Sequence, residues 1–152
     1  SVTAVGTEAF AGCSGFTGEL KLSASLTKIS KKAFYNCSGF TGELVVPDSV
    51  TVIERNAFEN VNKITSVTLG KNVSVIGDSS FYLYNPFIRC YGVETVTFTG
   101  LIVPNSPGNI FDSMSKLKTV NVPAEAFAAY ASYLSIPNGV RMSVKDSAIN
   151  IL

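Results

Sequence analysis

The chain has 152 residues, 46% of them hydrophobic and 15% charged, with 12 Lys plus Arg against 11 Asp plus Glu. That is enough length for one domain with a sizeable core, and so low a charge with so much apolar content excludes intrinsic disorder. The near-neutral balance argues against a general nucleic-acid binder, no apolar run is long enough to span a membrane, and the absence of His removes the commonest general base and metal ligand.

The chain repeats itself from its first residues. Ser1-Val2-Thr3-Ala4-Val5 aligns with Ser49-Val50-Thr51-Val52-Ile53, so the chain opens in mid-repeat, as a fragment or mature part of a longer protein would. Gly12-Cys13-Ser14-Gly15-Phe16-Thr17-Gly18-Glu19-Leu20 returns 24 positions later as Asn36-Cys37-Ser38-Gly39-Phe40-Thr41-Gly42-Glu43-Leu44. Ala9-Phe10 recurs as Ala33-Phe34, as Ala57-Phe58 and, more weakly, as Ser80-Phe81. Val5, Ile29, Ile53 and Ile76 precede these Phe residues at one spacing, and Phe16, Phe40 and Ile64 follow at another. The pairs Leu20 and Leu22, Leu44 and Val46, and Val67 and Leu69 then alternate with polar residues, the pattern of a strand with one buried face. Gly70, Gly100, Pro47, Pro104 and Pro123 stop the strands.

Because each unit returns to the same register, successive strands are predicted to pair in parallel and stack. About five coils over 1–123, at roughly 4.8 Å per strand, make a rod on the order of 25 Å long. Phe10, Phe34, Phe58, Phe81 and Phe111 are predicted to form a buried ladder. The short Ala-Phe stretches are predicted to be single helical turns on the opposite side.

Two irregularities interrupt the period. The third unit is one residue shorter, because Ile64 reaches its strand sooner than Phe40 does. The difference falls in Thr41-Gly42-Glu43, read as a turn or bulge. After Phe81 the next Phe of the pattern is Phe111, 30 residues on, and most of the excess is assigned to the stretch between Phe81 and Val93. The pattern resumes in register at Val93, Val96, Phe98 and Ile102, then at Leu117, Val120 and Val122, so the excess reads as a surface loop. Pro123, the Ala-rich run 124–134 and Pro137 predict a helix. A final strand near Val140–Val144 completes a C-terminal cap over 124–152, and the whole is read as one domain, 1–152.

Ile64-x-x-Val67-x-Leu69, Val93-x-x-Val96-x-Phe98 and Leu117-x-x-Val120-x-Val122 fit the core of leucine-rich repeats. Pro47-Asp48-Ser49-Val50-Thr51-Val52-Ile53 followed by Asn56-Ala57-Phe58 resembles the BspA-type leucine-rich repeat, and Val122-Pro123-Ala124 through Tyr130 resembles the segment that often closes such arrays. The resemblance implies a right-handed leucine-rich-repeat solenoid, strand-rich, with short helical turns and a capping helix. It also implies a surface or secreted protein that adheres to host proteins or other cells, and it carries no catalytic motif.

Few residues suggest chemistry. Cys13 and Cys37 hold equivalent positions on adjacent coils, and stacking could bring their Cα atoms within the disulfide window of about 4.4–6.8 Å. Alternatively each is a small buried hydrophobe, which Val61 at the same place in the next unit supports. Cys90 falls in the insertion without an evident counterpart. Glu19 and Glu43 are the nearest approach to a carboxylate pair, but exposed charges are the default. Without His or a nucleophile elbow, Ser and Thr lack a base, so no enzyme and no cofactor are expected. The outward strand positions are mostly small and neutral. The insertion supplies Tyr82, Tyr84, Phe87, Arg89 and Tyr91, among them the Tyr and Arg that carry binding energy at interfaces. The competing expectation is that Phe87 and Ile88 fold inward. Taken with the lack of catalytic residues, the resemblance implies a non-enzymatic module, secreted or on a cell surface, that binds a host extracellular-matrix or cell-surface protein. The alternative is a spacer that presents a neighbouring domain and has no ligand of its own.

Overall fold

The computed structural model describes residues 2–77, 85–106 and 110–145. The strands are β1 Ala4–Val5, β2 Lys28–Ile29, β3 Thr41–Val46, β4 Val52–Ile53, β5 Lys63–Leu69, β6 Val75–Ile76, β7 Thr95–Phe98, β8 Thr119–Pro123 and β9 Arg141–Lys145. They form two parallel sheets on different sides of a solenoid of about six turns. The short sheet runs β1-β2-β4-β6 and the long one β3-β5-β7-β8-β9. In β5, Ile64, Val67 and Leu69 are buried while Lys63 and Thr65 face solvent, so the alternation in sequence is the alternation in space. β3 and β5 slip register between Gly42 and Glu43, at the irregularity expected there, and Gly42 has a φ of 77°. The opening residues sit as their alignment requires, with Val5 beside Ile29 and Ile29 beside Ile53.

The Ala-Phe stretches form the third side, and they are not helical turns. The residue two before each Phe (Glu8, Lys32, Asn56) and the residue two after it (Gly12, Asn36, Asn60) have φ between 54° and 76°. A right-handed helix cannot pass through those positions. Hydrogen bonds alternate accordingly. The N–H groups of Phe10, Phe34 and Phe58 donate to the carbonyls of Ala33, Ala57 and Pro86 in the next coil at 2.8–2.9 Å. The N–H groups of Cys13, Cys37 and Val61 instead close turns onto the carbonyls of Phe10, Phe34 and Phe58 in their own coil. Each of the first three coils thus hands donors forward to its successor.

Phe10, Phe34 and Phe58 stack 5.4 Å apart and nearly parallel. The next ring is Phe87, 5.7 Å from Phe58, which corrects the ladder read from sequence. Phe81 lies outside the described residues. Phe87 holds the rung because Cys90 and Val93 follow it as Cys37 and Phe40 follow Phe34, all buried against the same core. The extra residues therefore precede the fourth Phe turn rather than follow it, and Cys90 has a counterpart after all, in Cys37. Phe111 occupies the fifth position and is buried. Between the fourth and fifth turns the ladder is relayed by a side chain. The Phe87 N–H donates to Asn85 Oδ1 at 2.8 Å, and Asn85 Nδ2 donates to the Ile110 carbonyl at 2.9 Å.

The two ends differ. A strand was expected at Leu20–Leu22, but there the chain makes only one bridge, Gly18 to Phe40, and both Leu side chains are half-buried. A strand there would have a neighbour on one side only, so its apolar face gains half the burial of an inner strand. At the other end a 3₁₀ turn, Ala124–Ala126, leads into α1, Phe127–Tyr133, and β9 pairs with β8, close to the predicted helix and strand. Tyr130 fastens this cap. Its ring lies 5.0 Å from that of Phe98, and its hydroxyl donates toward the carbonyls of Gly100 (3.0 Å) and Ile102 (3.3 Å).

Candidate partner-binding surface

The five residues proposed for binding part company in the structure. Phe87 is 1% exposed, held in the ring stack, and so does the packing that was its alternative reading. Arg89 and Tyr91 remain outside, Tyr91 at 47% exposure. Tyr82 and Tyr84 lie outside the described residues. Phe87 and Cys90 pin the turn from within, so the backbone that carries Arg89 and Tyr91 is fixed by the core.

Arg89 takes the place of Gly12, Asn36 and Asn60, and keeps their left-handed backbone at a φ of 60°. A long side chain there costs roughly 1–2 kcal/mol that Gly avoids and Asn reduces. Its guanidinium lies 3.6 Å from Glu59 Oε1, and Glu59 is in turn reached by Asn56 Nδ2 at 2.8 Å. The same edge carries an amide contact between coils, Asn60 Nδ2 to Asn36 Oδ1 at 2.9 Å. The turn edge is therefore polar and ordered, with a charged group at its fourth step.

The outer face of the long sheet is quieter. Glu43, Ser66, Thr95, Thr119 and Arg141 stand in one cross-strand row, and Val45, Thr68, Thr97, Asn121 and Ser143 in the next. Several of these bond to each other, Thr68 to Glu43 at 2.8 Å and Asn121 to Thr97 at 3.2 Å, and Thr97 is only 5% exposed. Glu19 is paired with Lys21, so the stacked Glu19 and Glu43 do not form a carboxylate couple. Among the described residues no three His, Cys, Asp or Glu side chains gather as metal ligands would, and no helix is long and apolar enough to cross a membrane.

Ile102, read from the sequence as an inward position, points outward instead, because the bridge between Val75 and Asn105 puts Val103 at the inward place, packed against the core. Leu101 and Ile102 are 62% and 79% exposed where the preceding coils place Asp48-Ser49 and Lys71-Asn72. The Tyr130 hydroxyl holds the carbonyls on either side of Leu101, so the knuckle has a fixed backbone. Comparing the units position by position could have found it.

All three cysteines are free. Cys37 Sγ donates to the Phe10 carbonyl at 3.0 Å, and Cys90 Sγ to the Phe58 carbonyl at 3.2 Å, each giving the ladder a second bond between coils. Burial pushes the Cys37 thiol up and drives Cys90 to about 12. Thiol titration of the native protein should therefore find one reactive group, the part-exposed Cys13, and three after denaturation. Two fast-reacting thiols in the native state would contradict this packing.

The comparisons with known proteins agree with the geometry. The model of the BspA type leucine-rich repeat region matches in six copies, over residues 1–87 and 43–133. The chain belongs to the BspA-type leucine-rich repeat family. Among curated proteins none matches significantly. Two solved structures share the fold. One is the pneumococcal vaccine antigen PcpA, at 22% identity and a TM-score of 0.66, with 95% of this chain covered. The other is a leucine-rich cell surface protein from Faecalibacterium prausnitzii A2-165, at 22% identity and a TM-score of 0.51, with 97% covered. This BspA-type array spans 34% of the length of each.

Proposed function

We propose that this BspA-type array is an extracellular or cell-surface module that binds or adheres to a protein, without enzymatic chemistry of its own. The observation that carries the reading is the run of BspA-type repeats over residues 1–133, in a fold shared with a vaccine antigen and a cell surface protein. Stacked coils make a rigid scaffold for a binding edge. The edge we favour is the fourth turn, with Arg89 and Tyr91; Tyr82 and Tyr84 join them as candidates on their sequence alone. Tyr and Arg bury much area at low ordering cost, and Arg89 is kept at a backbone position that disfavours it. The partner class is a host extracellular-matrix or cell-surface protein. The self-paired polar face of the long sheet supports a second reading, a spacer that presents a neighbouring domain.

The test is binding to a panel of purified extracellular-matrix proteins. For a member that binds, the double variant Tyr84→Ala and Arg89→Ala should weaken affinity at least about tenfold, roughly 1.4 kcal/mol. The double variant Thr97→Ala and Asn121→Ala should change it much less. Equal binding by both folded variants would remove the turn from the interface, and no binding at all would favour the spacer.

A further inference from the structure

We infer that the Leu101–Ile102 knuckle and the cap helix beside it form a self-association surface, whose partner is a second copy of this chain. The inference is independent of what the turn edge at Arg89 binds. The knuckle arises from one inserted residue. The corner between the long and short sheets takes six steps from Val46 to Val52 and six from Leu69 to Val75. It takes seven from Phe98 to Asn105, although Phe98 pairs with Leu69 and Asn105 with Val75. The extra residue pushes Leu101 and Ile102 outward, and the Tyr130 hydroxyl holds the carbonyls of Gly100 and Ile102, so they stay there. Phe127 and Tyr133 lie one helical turn to either side of Tyr130, at 36% and 51% exposure, and the Tyr133 hydroxyl reaches Asn105 Oδ1. Four large apolar side chains thus surround one buried anchor.

Area and charge together define the occupant. At about 200 Å² for a side chain of this size, the four exposures leave roughly 450 Å² of largely apolar surface. That is near the most a monomer usually shows, and such patches mark interaction sites. Two of them face to face, with the exposed alanines of the helix at their rim, cover on the order of 1,000 Å², the lower bound for a specific interface. The pairing is therefore reversible rather than obligate. A two-fold axis sets the same patch of each copy against itself, so a charge within it would meet its own like. Gly100 to Val103 and Ala126 to Leu134 carry no charge at all. The bordering charges are of opposite sign. Lys71, held only loosely by Asp48 at 3.8 Å, has its backbone against Gly100, and Glu125 stands in the turn before α1. A two-fold pairing can bring Lys71 of one protomer toward Glu125 of its partner. The corner lies across the solenoid from the Ala-Phe turns, so both Arg89 edges stay free in the dimer.

The test is the mass of the chain in solution, by sedimentation equilibrium over a series from roughly 1 μM to 1 mM, the range in which an interface of this size associates. The parent should show a reversible monomer–dimer equilibrium. The double variant Leu101→Ser and Ile102→Ser should raise its Kd by about tenfold or more. Phe16→Ser removes an aromatic that is 49% exposed on another part of the surface, and should leave the Kd unchanged. A charge swap separates a lost interface from a damaged fold. Ile102→Asp and Ile102→Lys should each be monomeric alone and should pair with each other when mixed, and at 79% exposure neither disturbs the core. The proposal is overturned if the parent stays monomeric to the top of the series, its knuckle left to a different protein or to solvent. It is also overturned if a dimer forms that the knuckle variants leave intact, if Phe16→Ser alone abolishes it, or if the mixed Asp and Lys variants stay monomeric.

Discussion

Phe58→Ala is expected to lower the free energy of unfolding by about 3–5 kcal/mol, the usual cost of deleting a core aromatic. The ring is fully buried and sandwiched, 5.4 Å from Phe34 on one side and 5.7 Å from Phe87 on the other, so its removal opens a gap between three coils. A typical domain has only about 5–15 kcal/mol in total, so the variant should approach the limit of stability. Phe10→Ala should cost much less, because one face of that ring is already open to solvent. Denaturant unfolding of the two variants measures both, and equal losses would show that the coils do not stack in this register.

The second large effect is at alkaline pH. Burial drives Cys90 from 9.0 to about 12 and Tyr130 from 10.0 to about 12. Both folded values lie above the unfolded ones, so the native state holds protons that the unfolded chain has released. Their contribution is complete below pH 9. It is lost as pH rises, from 9 to 12 for Cys90 and from 10 to 12 for Tyr130. At about 1.4 kcal/mol per unit, the losses are roughly 4 and roughly 3 kcal/mol. Stability measured across this window should fall steeply in the parent, while Cys90→Ala and Tyr130→Phe should each flatten part of the slope. A parent curve that stays level to pH 12 would mean that neither group is sealed from water.

The sequence made the architecture legible because every coil buries the same few positions. Val5, Ile29, Ile53 and Ile76 keep their spacing for the physical reason that each fills the same place in the stack. The fourth rung of the Phe ladder was misplaced because two candidates each satisfied one side of the pattern. Phe81 keeps the spacing to Ile76, whereas Phe87 keeps the spacing to Cys90 and Val93. The downstream match is the longer one, and it decides where the chain rejoins the core. Other features depend on context that periodicity does not contain. Leu20 and Leu22 have strand spacing but no neighbour on their outer side. Asn85 relays a bond between coils only because the backbone before Phe87 departs from the earlier turns. Among the candidate binding residues, residue type alone did not separate Phe87, which turns inward, from Tyr91, which does not.

The most direct measurement is a double-mutant cycle between Phe58 and Phe87, 29 residues apart in the chain and stacked in the fold. The register described here predicts a coupling of about 0.5–1.5 kcal/mol between them, the contribution of an aromatic pair beyond its buried area. It also predicts a much smaller coupling between Phe34 and Phe87, which are separated by the ring of Phe58. Additive losses at Phe58 and Phe87, or a Phe87→Ala variant as stable as the parent, would contradict the stacking on which the whole solenoid rests.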